Sequence, residues 1–159
     1  MKVSGSYPLA AARERAYTML QDPVVLARCM PGCEGLERMG EDQYAMRMKV
    51  AVAMITGRFK GKVTISDQNP PERFRMVVEG SGKIGFLRGE GLITLDGASV
   101  AYDGEVQVGG TLANVGQRLM DTTARMLIKR FFDRLAAEVR QAPASAGAAS
   151  TSTAPPGSA

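Results

Sequence analysis

Between Tyr44 and Val108 the side chains change character at almost every second position, and behind that stretch lies one long segment of helical periodicity. Few folds accommodate both. Tyr44, Met46, Met48, Val50, Val52 and Met54 fall on one side of an extended chain, with Ala45, Arg47, Lys49, Ala51 and Ala53 on the other. After Thr56-Gly57 the alternation resumes, with Phe59, Gly61, Val63 and Ile65 inward against Arg58, Lys60, Lys62 and Thr64, so the two runs predict an antiparallel hairpin. The segment 66–73 (SDQNPPER) reads as a turn, and beyond it Phe74, Met76, Val78 and Gly80 predict a third strand. Residues 85–91 lead into Leu92-Ile93-Thr94-Leu95, and past Asp96-Gly97 a last strand turns Val100, Tyr102, Gly104, Val106 and Val108 inward. A shorter strand at 35–39 is expected before this meander.

Glycines recur at inward positions, Gly61, Gly80, Gly89, Gly91 and Gly104, where they mark bends, bulges, or a close approach by a helix or ligand. Behind Gly109-Gly110, residues 111–140 contain no proline and only Gly116. Leu112, Val115, Leu119, Met120, Thr123, Leu127, Phe131 and Leu135 form an apolar stripe, predicting one long C-terminal helix. At the other end, a strand at 2–7 precedes helical segments at 9–20 and 23–29. Asp22 is the expected N-cap of the second, with Pro23 at its first position and Pro31 beyond its end.

The chain of 159 residues is long enough for one core, expected over 1–140. The remainder, 141–159, is Ala-, Ser-, Thr-, Pro- and Gly-rich and is expected to be a disordered tail. No apolar run has the length of a signal peptide core or membrane span, so a cytoplasmic location is expected.

With no histidine, Ser-His-Asp and Cys-His arrangements and His-ligated zinc are excluded within the chain. The two cysteines, Cys29 and Cys33, are spaced C-x3-C around a Pro-Gly corner. Structural thiols are the expectation, with a reversible redox pair or an intermolecular metal site as alternatives. Asp103 and Glu105 share a predicted solvent face, which gives no catalytic signal. The glycine-rich stretch 80–91 joins strand to strand rather than opening a helix, which disfavours a phosphate loop.

The segment from Gln43 to Ser66 carries Arg47, Lys49, Arg58, Lys60 and Lys62 and no acid. It is either a solvated sheet face or a docking surface for an acidic protein or anionic lipid. The absence of outward aromatic residues on this hairpin disfavours nucleic acid.

The element order resembles the helix-grip, or START/Bet v 1-like (SRPBCC), fold: an α+β domain whose curved antiparallel sheet wraps a long C-terminal helix. The stretches DPVVLARCMPGCEGLE (22–37), FKGKVTISDQNPPERF (59–74), GSGKIGFLRGEG (80–91) and GGTLANVGQRLMDTTARMLIKRFFDRL (109–135) resemble the carbon monoxide dehydrogenase G-subunit (CoxG) family over residues 1–140. That resemblance implies a non-catalytic accessory protein of a molybdenum hydroxylase, without metal or covalent cofactor. It further implies recruitment of the dehydrogenase to the inner face of the cytoplasmic membrane, transfer of its electrons to the respiratory quinone pool, and an isoprenoid quinone, such as menaquinone, held in the cavity. An assembly or maturation factor with an incidental cavity is the alternative.

The ten methionines suit a pliable apolar wall, although they would equally fill a solid core. Met46, Met48, Phe74, Met76 and Gly104 are the expected ligand contacts on the sheet, with Leu119, Thr123 and Leu127 facing them from the helix. Phe86 is expected at the mouth. Thr123 and Tyr102 carry the inward hydroxyls expected to hydrogen-bond a ligand carbonyl.

Overall fold

A computed structural model describes residues 1–52 and 55–141 of the chain. The tail from 142 onward and the expected inward position of Met54 lie outside the described residues. Seven strands form one antiparallel sheet: β1 (Lys2–Pro8), β2 (Cys33–Gly40), β3 (Gln43–Val52), β4 (Ile55–Asn69), β5 (Arg73–Gly82), β6 (Gly85–Asp96) and β7 (Ser99–Gly109). Their order across the sheet is β1-β7-β6-β5-β4-β3-β2, a meander onto which the first strand pairs at the far edge. Two helices, α1 (Arg13–Met19) and α2 (Pro23–Cys29), connect β1 to β2, and α3 (Gln117–Gln141) closes the described chain.

The alternation in β3 and β4 is reproduced in the burial pattern, with Tyr44, Met46, Val50, Val52, Ile55, Phe59, Val63 and Ile65 buried. Several predicted boundaries move. β4 continues through Ser66 to Asn69 with an irregularity in its pairing to β5, so the turn contracts to 70–72. The glycine-rich stretch 85–91 is itself part of β6, because its residues pair along their length with both β5 and β7. β2 begins at Cys33 and ends at Gly40 rather than spanning only 35–39.

The first helix is shorter than 9–20. The Leu9 amide instead donates to the Ala98 carbonyl at 2.6 Å and the Ala11 amide to the Leu9 carbonyl, which ties this segment to the β6–β7 turn. The expected helix over 111–140 also starts later. Residues Gly110–Val115 form a 3-10 segment, and Gly116 at φ 96° reverses the backbone before α3 begins. On α3 the most buried positions are Thr123, Phe132, Leu135 and Val139. Phe132 takes the place expected for Phe131 because it stacks on Tyr7 with ring centroids 4.5 Å apart. Phe131 sits at the edge of the same cluster.

α2 forms as its sequence dictates: the Asp22 carboxylate accepts from the Val24 amide at 2.9 Å, and Val25, Leu26 and Cys29 are buried. The corner that follows is tightly determined. Gly32 has φ 79°, its carbonyl accepts from the Lys49 amide at 2.8 Å, and a Cβ at Gly32 would run into the Lys49 carbonyl. The corner between the cysteines thus clamps α2 and β2 onto β3. Gly32→Ala is expected to cost at least about 1–2 kcal/mol from the left-handed backbone alone, and more from the collision. Urea unfolding measures this, and an unchanged midpoint would show that the corner relaxes without cost.

Candidate functional site

The interior is divided. The larger apolar cluster contains Tyr44, Met46, Val63, Ile65, Phe74, Leu95 and Val100 from the sheet, with residues of α1 and α2 and Phe132, Leu135 and Val139 of α3. A second cluster, at the start of α3, holds Val50, Val52, Ile55, Phe59 and Leu112, with Leu119, Met120, Met126 and Leu127 packed against it. Between them most inward positions are glycines. Gly61 of β4 faces Gly80 of β5, and Gly91 of β6 faces Gly104 of β7. Gly89 lies two residues beyond Gly91, opposite Val106.

These glycines form a staggered band rather than a continuous one, since across β5 and β6 Gly80 is opposite Leu87 and Gly91 opposite Met76, and they fall where one cluster gives way to the other. The close backbone approaches of α3 are to α2 and β1 rather than to the middle of the sheet. Thr123 lies on the buried face of α3, between Met120 and Met126, which both pack against the second cluster. Only 4% of Thr123 is exposed, and its Oγ1 has no hydrogen-bond partner. A hydroxyl that could bond to the carbonyl of the preceding turn does not, and leaving it unpaired costs about 1–3 kcal/mol.

The expected site residues occupy distinct settings. Met46 is buried, and its Cε lies 3.8 Å from where a Cβ on Gly80 would stand, so this methionine reaches over the band. Met48 and Met76 are half-buried beside the larger cluster, while Leu119 and Leu127 pack with the second. Phe74 is fully buried under Tyr17, whose ring meets it edge-on at 5.4 Å, which places it in the packed part of the core.

Gly104 sits where β6 and β7 approach closely, since a Cβ there would collide with the Glu90 carbonyl. It therefore offers no room for a larger side chain, whereas a Cβ on Gly89 meets nothing closer than Val106 at 3.7 Å. Phe86 is 53% exposed and covers Gly109 from the outer face of the sheet, because its parity in β6 is opposite to that of Leu87.

Tyr102 belongs to an aromatic stack. Its ring centroid is 5.9 Å from Phe132 and 6.3 Å from Tyr7. Burial, then the neighbouring Tyr7, hold its phenol above the ordinary value, so it is neutral at physiological pH. Sequence reasoning missed this stack because Tyr7 and Phe132 come from opposite ends of the chain, and only the pairing of β1 with β7 brings them together.

On the outer face, three of the five hairpin cations reach acids on neighbouring strands. Arg47 pairs with Glu37 at 3.8 Å, Arg58 with Glu34 at 3.3 Å and Lys62 with Glu79 at 4.0 Å, the acids coming from the flanking strands β2 and β5. Two open hollows of about 540 and 490 Å³ also lie on the outer face, across β5 to β7 and beside the β4–β5 turn. Charged pairs line them, including Arg75–Glu90 at 3.3 Å and Arg88–Glu90 at 3.1 Å. Neither touches the interior apolar residues.

Cys29 is inaccessible, and burial followed by the charge of Glu138 pushes its thiol up to about 11. Among the described residues no cluster of Cys, Asp and Glu could hold a metal ion, and no helix is long and apolar enough to cross a membrane.

The curved seven-stranded sheet and long C-terminal helix define a START/Bet v 1-like protein. The family model for the carbon monoxide dehydrogenase G-subunit (CoxG) matches residues 5–140. The chain belongs to that family. A conserved protein from Geobacillus kaustophilus superposes with a TM-score of 0.86 at 31% identity, covering 89% of this chain and 97% of that one. A START superfamily protein from Mycobacterium smegmatis shares the fold at 16% identity and TM-score 0.65, covering 89% and 99% of the two chains. The Zhui aromatase/cyclase from Streptomyces sp. R1128 does so at 17% and 0.57, covering 96% and 99%. A search of curated proteins returns no match.

Thr123→Val keeps the side-chain shape and removes the orphan hydroxyl, so it is expected to stabilise the ligand-free protein by about 1–3 kcal/mol in urea unfolding. A loss of stability would mean that the hydroxyl is satisfied. A thiol reagent at pH 8 is expected to label Cys33 and spare Cys29 until the protein unfolds. The stability contributed by the neutral Cys29 thiol is present below pH 9.0 and lost as pH rises through about 11. Equal labelling of both in the native state would contradict this.

Proposed function

We propose that the chain is a non-catalytic accessory protein of a molybdenum hydroxylase of the carbon monoxide dehydrogenase type. It takes a long apolar molecule with a hydrogen-bond-accepting head, an isoprenoid quinone such as menaquinone, into the space over the glycine band. It works at the cytoplasmic face of the membrane, carrying the ligand between the bilayer and the dehydrogenase. The observation that carries this reading is the Thr123 hydroxyl, buried on α3 and without a hydrogen-bond partner.

A quinone carbonyl would satisfy that hydroxyl, and the apolar tail would gain roughly 25 cal/mol per Å² buried. Room is made by methionines. Met46, Met48, Met76, Met120 and Met126 border the band or the clusters on either side of it, and unbranched thioether chains change rotamer at little cost. Membership of a family named for a component of a dehydrogenase supports the choice of partner. The interior hydroxyls of Thr123 and Tyr102 suit holding a carbonyl better than moving protons at neutral pH.

Native mass spectrometry of the full chain incubated with menaquinone is expected to show a one-to-one adduct. Gly89→Leu fills the band at a position with room for a side chain, and it is expected to abolish the adduct while the protein stays folded. A folded variant that binds as well as the wild type would place the ligand elsewhere. Failure of the wild-type protein to bind would leave the assembly-factor reading.

A further inference from the structure

The cations on the outer face of the β3–β4 hairpin are arranged in a way that disfavours folding. Arg47 is directly opposite Lys60, and Lys49 directly opposite Arg58, so four positive side chains form a square on adjacent strands. Like charges in direct cross-strand register repel and destabilise the pair. The acids of β2 offset only part of this: Glu37 and Glu34 pair with the arginines, while Lys49 and Lys60 have no acidic partner among the described residues. Around the square the outer face carries Ala45, Ala51 and Thr56, with Lys62 opposite Ala45 and paired to Glu79.

We infer that this square, centred on Lys49 and Lys60, is the docking site for an acidic segment of a partner protein. Its dimensions and surroundings select that partner. Glu34 and Glu37 on one side and Glu79 on the other bound the two lysines to a strip about three strand spacings wide, roughly 14 Å. An acidic peptide segment fits such a strip. A planar anionic membrane would meet the flanking carboxylates as well, and the strip offers no apolar side chain to insert. The large exposed apolar residues, Val24, Met39 and Phe86, belong to α2, β2 and β6. The inference rests on the accessory-protein reading only in taking the partner to be a protein, and the interior ligand plays no part in it.

The test uses the full chain and a fluorescent twelve-residue oligoglutamate peptide as probe. Binding is expected at low ionic strength and should vanish at about 0.5 M salt, where screening acts within a few ångströms. Lys49→Gln with Lys60→Gln should weaken binding by roughly tenfold or more while Tm holds or rises, since the repulsion is relieved. Lys49→Arg with Lys60→Arg should retain binding, as should Lys83→Gln on the β5–β6 turn. Peptide binding unaffected by the double glutamine change, or a fall in Tm on making it, overturns the inference. So does capture by phosphatidylglycerol-containing vesicles, lost in the same variant, without peptide binding. Menaquinone binding measured alongside should not change in any of these variants, so that failure of the docking site and failure of the ligand reading are told apart.

Discussion

The cross-strand register that sets Gly61 against Gly80 and Gly91 against Gly104 is the constraint on which the rest of the interior depends. With side chains alternating between faces, a slip of one residue would carry these glycines to the outer surface and push Lys60, Lys62, Glu79 and Glu90 into the core. The charge burial this entails rules the slip out. Correct register sets two glycine pairs on the inner face, offset along the strands because Gly80 is opposite Leu87 and Gly91 opposite Met76, and the sheet can then bend where backbones come close. At Gly61 and Gly104 a Cβ would strike the carbonyls of Glu79 and Glu90. The same positions thin the side chains on the inner face where the apolar packing divides into two clusters.

The alternating stretches made the strands and their inner faces legible in the sequence. Tyr44 through Val52 and Phe59 through Ile65 each show the period of two without interruption, and the glycine positions carry the same parity. Breaks in local regularity were harder to read. Nothing in the helical stripe of 111–140 distinguishes Gly116 as a reversal until its φ of 96° is seen, and the turn-rich composition of 66–69 conceals a strand held by pairing to β5. The site was legible in part. Thr123 followed from helical periodicity, and its missing partner did not, because an orphan is a property of everything around it. Phe86 was placed by hydrophobicity, whereas its strand parity puts it on the outer face over Gly109. The ion pairs of Arg47 and Arg58 come from β2, whose register with β3 no local pattern in the basic hairpin discloses.

Stability and function divide along the same line. The α1–α2 side of the domain is fixed by fully buried groups, including Phe74, Leu135 and Cys29, and by the Gly32 corner bonded to Lys49. The opposite end, bounded by the 3-10 segment and the first turns of α3, is lined by methionines and leucines that remain partly exposed. The second end combines buried Ile55, Phe59 and Leu112 with adaptable methionine side chains.

Whether the interior between α3 and the glycine positions takes an apolar ligand is decided most directly by NMR of methionine methyl groups during titration with menaquinone. If it does, the methyl resonances of Met46, Met48, Met76, Met120 and Met126 shift together and saturate at one equivalent. Those of Met19, packed with α1, and Met39, exposed on the edge strand, should stay in place. Shifts confined to Met39, or an interior set that remains unmoved at saturation, would contradict a ligand in this space.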